Sequence, residues 1–187
     1  MARTWLQVRV DLLGTAGSDL DPAPGRVLIV GPGHTFEQLA GAINQAFARW
    51  DLSHLHEFEL SDGRRIGFPS EEFEPELVWE DQAVLKVARE VGPGDEFGFT
   101  FDFGDGWRHR CRVLEDKADP HEEYGPGPVP KRPVVTWGWG GSQISTGASP
   151  RRSSSSSSSD HGHPSMRWQM TAQPSSRKAR WSSPSRS

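Results

Sequence analysis

Cys111 is the only cysteine among 187 residues, so an internal disulfide and a multi-cysteine zinc site are both excluded. That scarcity fits a reducing cytoplasm. Long apolar runs are missing too: none approaches the ~18 residues of a membrane-spanning helix. The N-terminus lacks a charged-then-apolar leader pattern, which argues against secretion and against a membrane partner. A phosphate-binding glycine loop is absent, since Gly31-Pro32-Gly33 has neither a Lys-Ser/Thr ending nor the spacing of a dinucleotide site. No serine occupies a strand-to-helix elbow, which leaves Ser-His-Asp chemistry without its nucleophile. Basic charge is short as well. Residues 1–140 hold 14 Lys or Arg against 24 Asp or Glu, a net −10, and so lack the positive field of a typical nucleic-acid binder.

The remaining residues have the opposite balance. Residues 141–187 carry seven basic residues against the single acid Asp160, with seven serines in a row from Ser153 to Ser159. The composition divides the chain into one domain over 1–140 and a disordered Ser/Arg-rich tail over 141–187. Mean hydropathy is −0.65 and 34% of residues are hydrophobic, values on the low side for a compact fold.

Within the first 140 residues, period-two and period-3.6 patterns alternate. Trp5 to Leu13 alternates Leu6, Val8 and Val10 and reads as a strand, with Val27 to Val30 able to pair with it. Thr35 with Gln38 three residues on signals a capped helix, whose apolar face recurs through Phe36, Leu39, Ala40, Ile43, Phe47 and Trp50. His54 to Leu60 alternates again, placing His54, His56, Phe58 and Leu60 on one face. Asp62-Gly63 turns into Arg64 to Phe68, Pro69 to Glu80 is an acidic loop, and Ala83 to Val91 reads as a short helix. The order ββαββαββ predicts an α+β fold, a mostly antiparallel sheet with one principal amphipathic helix packed on it.

The stretch FGFTFDFGDGWRHRCRV specifies a hairpin. Phe97, Phe99, Phe101 and Phe103 share one face, as do Trp107, His109, Cys111 and Val113. With Gly104-Asp105-Gly106 as a three-residue loop, Phe103 faces Trp107, Phe101 faces His109, Phe99 faces Cys111, and Asp102 meets Arg108. Asp105 then stands at the tip.

Candidate chemistry concentrates on His54, His56, Asp102, Asp105 and His109. Two histidines at i and i+2 on a strand, with His109 or a hairpin carboxylate, form a donor set suited to a divalent metal. The plainer reading packs His54 and His56 beside Phe58, makes His109 a hydrogen-bonded core residue, pairs Asp102 with Arg108 and gives Asp105 a local turn bond. Cys111 lies on the inward face, where a thiolate is disfavoured. Arg108, Arg110 and Arg112 form a cationic strip suited to phosphates, or else a solvated face neutralised by nearby acids. Trp137 and Trp139 offer a stacking surface or an anchor for a C-terminal loop.

TFEQLAGAINQAFARWDLSHLHEFEL and FTFDFGDGWRHRCRVLE are similar to the plasmid pRiA4b ORF-3-like family over roughly residues 5–140. That family's Trp-Asp-x-x-His-Leu-His-x-Phe falls on Trp50, Asp51, His54, Leu55, His56 and Phe58. Its Tyr-Asp-Phe-Gly-Asp-x-Trp-x-His falls on Phe101, Asp102, Phe103, Gly104, Asp105, Trp107 and His109, with Phe101 in place of Tyr. The resemblance implies a plasmid or insertion-element passenger without an assigned activity. After Trp139 the family often continues Gly-x-Ile-Pro-Asp-Gln-Tyr-Gly, whereas here Gly141 to Gly147 reads GSQISTG. One codon choice, GGA-TCC-CAG-ATC-AGT-ACG-GGC, read two bases later, encodes Ile-Pro-Asp-Gln-Tyr-Gly. A frameshift near Gly140 is therefore expected, with a genuine basic tail that binds acidic partners as the alternative.

Three functions follow as expectations: an accessory or interaction protein of a mobile element working through protein contacts, which is favoured because no catalytic set is complete; a nucleic-acid-associated protein using Arg108, Arg110 and Arg112; and a metal-dependent enzyme using His54, His56, His109 and a hairpin Asp.

Overall fold

Alternating apolar residues bury one side of a sheet, and a single capped helix covers it. The computed structural model describes residues 5–69 and 79–140; the expected disorder or frameshift of 141–187 lies outside them. The elements are β1 (Trp5–Thr15), β2 (Ser18–Asp19), β3 (Gly25–Val30), α1 (Phe36–Ala46), β4 (His56–Leu60), β5 (Arg65–Gly67), β6 (Trp79–Asp81), α2 (Val87–Glu90), β7 (Glu96–Phe101), β8 (Trp107–Ala118), α3 (Pro120–Tyr124) and β9 (Val134–Trp139). They form one sheet in the order β6-β5-β4-β7-β8-β1-β3-β9, with β2 paired to β1. Every pairing is antiparallel except β5 with β6.

The core lies between the sheet and α1. Leu6, Val8, Val10 and Leu12 of β1, Phe58 of β4, Phe97, Phe99 and Phe101 of β7, and Cys111 and Val113 of β8 meet Phe36, Leu39, Ala40 and Ile43 of the helix. Each fully buried phenylalanine stabilises the fold by roughly 1.5–3 kcal/mol relative to an exposed one. Among the described residues Phe58 and Phe99 are the closest ring pair, 4.6 Å between centroids, with Phe36 5.0 Å from Phe58. The α1 capping box is complete: the Gln38 amide donates to Thr35 Oγ1 and the Thr35 amide donates to Gln38 Oε1.

Four expectations change. First, β7 and β8 pair Phe101 with Trp107, Phe99 with His109 and Phe97 with Cys111, two residues away from the register read from the sequence. The loop is Asp102 to Gly106 rather than Gly104 to Gly106. Asp102 leaves the strand at φ 57°, its Oδ1 accepts from the Gly104 and Asp105 amides, and its carbonyl accepts from Gly106, itself at φ 63°. Phe103 is consequently exposed, and Arg108 faces Thr100 across the strands instead of meeting Asp102. Second, the helix ends at Ala46 because Ala48 takes φ 56°, so Trp50 is not on the core face and is 80% exposed. Third, only Val87–Glu90 of the expected helix over 83–91 is helical; Asp81 caps a turn by accepting from the Ala83 amide. Fourth, the segment holding Trp137 and Trp139 is itself a strand, β9, paired with β3. Trp139 lies against Gly25, where an added Cβ would come within 2.1 Å of the ring, and Trp137 is exposed. Among the described residues no helix is long and apolar enough to cross a membrane.

Candidate functional site

The break after α1 positions the central side chain. With Ala48 left-handed, the chain turns at Phe47, and Arg49 points inward over the end of the β7–β8 hairpin while Trp50 points out. The guanidinium carbon lies 4.5 Å from the Trp107 ring centroid and 5.0 Å from that of Phe101. Arg49 Nη2 is 3.2 Å from His109 Nε2, and His109 Nδ1 is 3.1 Å from the Phe99 carbonyl. An arginine can only donate, so His109 Nε2 accepts and Nδ1–H donates to Phe99. The imidazole is thus held neutral: burial, followed by the Arg49 charge, pushes its pKa down to about 3. Burial likewise brings Arg49 down to about 10, opposed by Asp102 and Asp105. Arg49 Nε is buried with no hydrogen-bond partner, and no carboxylate lies at ion-pair distance from this guanidinium among the described residues.

Carboxylates ring this floor. His54 lies between two of them, Nε2 at 3.3 Å from Asp51 Oδ2 and Nδ1 at 3.5 Å from Asp102 Oδ2, with its ring edge-on to Phe101. Asp51 also accepts from the amide and hydroxyl of Ser53, which hold its carboxyl below the usual range. The Asp102 amide donates to the Leu55 carbonyl and the Ala16 amide donates to the Asp105 carbonyl, so the hairpin loop is tied to both neighbouring strands' ends. Gly104 and Gly106 serve the loop backbone, since an added Cβ would come within 3.3 Å of Asp102 Oδ1 and 3.0 Å of the Ala16 Cβ respectively. Together Arg49, Trp50, Asp51, His54, Phe101, Asp102, Asp105 and Trp107 surround a cavity of about 100 Å³.

The sequence-predicted residues therefore divide. Trp50, His54, Asp102, Asp105 and Trp107 line the cavity, and His109 supports it from beneath through Arg49. His56 does not join them. Its Nε2 is 2.8 Å from Gln82 Oε1 and its ring packs on Phe99 and Phe101. The candidate metal donors His54, His56 and His109 thus each have their own partners, and among the described residues no three His, Cys, Asp or Glu side chains are grouped to hold a metal ion. Cys111 is fully buried, which pushes its thiol pKa up and away from nucleophilic use. Arg108 pairs with Asp19, Arg110 with Asp11 and Arg112 with Glu96. Arg49 was missed by sequence reasoning, although it immediately precedes the Trp50-Asp51 motif; the helical spacing of Phe47 and Trp50 concealed the turn between them.

A family model described as plasmid pRiA4b ORF-3-like protein matches residues 5–130. Among curated proteins, uncharacterized protein y4hQ of Sinorhizobium fredii is 33% identical over 69 residues, covering 37% of this chain and 35% of that relative's length. Among solved structures, a protein of unknown function from Methanosarcina mazei Go1 shares the fold at TM-score 0.53 and 23% identity, over 74% of this chain and 70% of that one.

Proposed function

The chain belongs to the plasmid pRiA4b ORF-3-like family, and from that premise we propose that it is an accessory interaction protein whose cavity beside Arg49 receives a side chain of a protein partner. One observation carries this reading: motif residues that are far apart in sequence, Trp50, Asp51 and His54 on one side and Asp102, Asp105 and Trp107 on the other, line one cavity. A fold needs no such convergence of charge at an open surface, whereas recognition does. Trp50, a large ring left 80% exposed at the cavity mouth, supports docking in the same way. The Arg108, Arg110 and Arg112 strip lends no comparable support to nucleic-acid binding, because each guanidinium is already engaged by a carboxylate. A role beside a mobile element in the bacterial cytoplasm agrees with the plasmid in the family's name and with the single, buried thiol.

The test uses a photoreactive residue in place of Trp50 and, as control, in place of Trp137, which is also exposed. In cells carrying the gene, a discrete crosslinked product is expected from position 50 and not from position 137. Crosslinking at 137 alone, or at neither position, overturns the reading.

A further inference from the structure

Charge and aromatic surface at the cavity define what can enter it. One guanidinium, Arg49, stands among three carboxylates, Asp51, Asp102 and Asp105, so at least one carboxylate remains uncompensated even if His54, between Asp51 and Asp102, is counted as a second cation. Asp51 is kept ionised by the Ser53 amide and hydroxyl. Asp105 is exposed, and its carboxylate has no hydrogen-bond donor among the described residues. An anion entering here would meet an excess of like charge, and a neutral apolar group would take water from carboxylates that nothing replaces. A cation gains on both counts. Ring faces attract ammonium and guanidinium groups, and Trp50, 80% exposed, is the aromatic wall open to a new one. Arg49 already shows this chemistry by lying over Trp107 and Phe101. Size narrows the choice further: about 100 Å³ admits one head group, well below the roughly 300–1,000 Å³ of small-molecule pockets.

We propose that the occupant is a basic side chain, Lys or Arg, presented by the partner protein, its charge facing Asp105 and Asp51 and its stem lying along Trp50. The proposal rests on the reading of this cavity as a docking site.

The experiment titrates the isotopically labelled full chain with four probes and follows the indole N–H signals of Trp50 and Trp107. The probes are the N-acetyl methylamides of lysine, arginine, norleucine and glutamate. Saturable shifts are expected with lysine and arginine, tighter than norleucine by about fivefold or more. Asp105→Asn is expected to weaken the lysine probe about three- to tenfold while leaving the unliganded Trp107 signal in place, and Asp105→Glu to restore most of it. Norleucine or glutamate binding as well as lysine overturns the cationic assignment while the docking site stands. An unchanged lysine affinity in Asp105→Asn overturns it too. If none of the four probes moves either indole and position 50 forms no crosslink, the docking reading falls with it.

Discussion

The two faces of β8 treat arginine in opposite ways. On the outer face, register supplies the partners: Arg112 lies opposite Glu96, Arg110 opposite Asp11, and Arg108 opposite Gly14, which in turn pairs with Asp19. Each cation is matched by one neighbouring acid, and each pair is open to solvent on at least one side. On the inner face, beneath the hairpin loop, Arg49 rests on two rings and a neutral histidine, with carboxylates nearby but none paired to it. Strand register fixes the first arrangement, and loops fix the second. The outer face is a balanced surface; at the inner end, among the described residues, Arg49 has no paired carboxylate and the Asp105 carboxylate has no hydrogen-bond donor.

The largest expected effect comes from breaking the support under Arg49. Phe99 touches Phe58, His56 and His109, so Phe99→Ala should cost about 3–5 kcal/mol in denaturant unfolding. Next is pH. The native His109 ring takes up a proton only near pH 3, whereas an unfolded histidine does so near ~6.5. Between those values the unfolded chain holds the extra proton, so stability is complete above about 6.5 and falls with pH by up to about 1.4 kcal/mol per unit. His109→Asn should flatten that slope relative to the parent chain, and an identical slope would remove His109 from the account. Breaking the outer face should matter less: Arg110→Ala should change unfolding free energy by no more than about 1 kcal/mol, since Asp11 retains Arg9 at 3.0 Å. Smallest of all, Trp50→Ala should stay within about 0.5 kcal/mol of the parent by thermal melt, because the ring is exposed; a larger loss would make Trp50 a packing residue.

The outer face and the core were more legible in sequence than the site. Alternation placed Phe97, Phe99 and Phe101 inward and Arg108, Arg110 and Arg112 outward, and Thr35 with Gln38 marked the start of α1. What alternation cannot set is loop length. Every register that differs by two residues preserves the faces, so the choice fell to Asp102, whose side chain closes a five-residue loop. Arg49 was hidden for a related reason. Alanine is the best helix former, and nothing local announces a left-handed Ala48. The motif residues were visible as a group, but their meeting point depended on those two backbone features.

The Asp105 carboxylate at the site end has no donor among the described residues, whereas Asp11 on the outer face has two arginines, and a pair of isosteric substitutions compares them directly. Asp11 is 4% exposed and serves both Arg9 and Arg110, so Asp11→Asn should lower the unfolding free energy by about 1 kcal/mol. Asp105→Asn, measured in the same urea titration, should leave it nearly unchanged, because Asp105 is exposed and its carboxylate has no hydrogen-bond donor among the described residues. A loss in Asp105→Asn as large as that in Asp11→Asn would contradict the account and make the cavity acids part of the fold's own support.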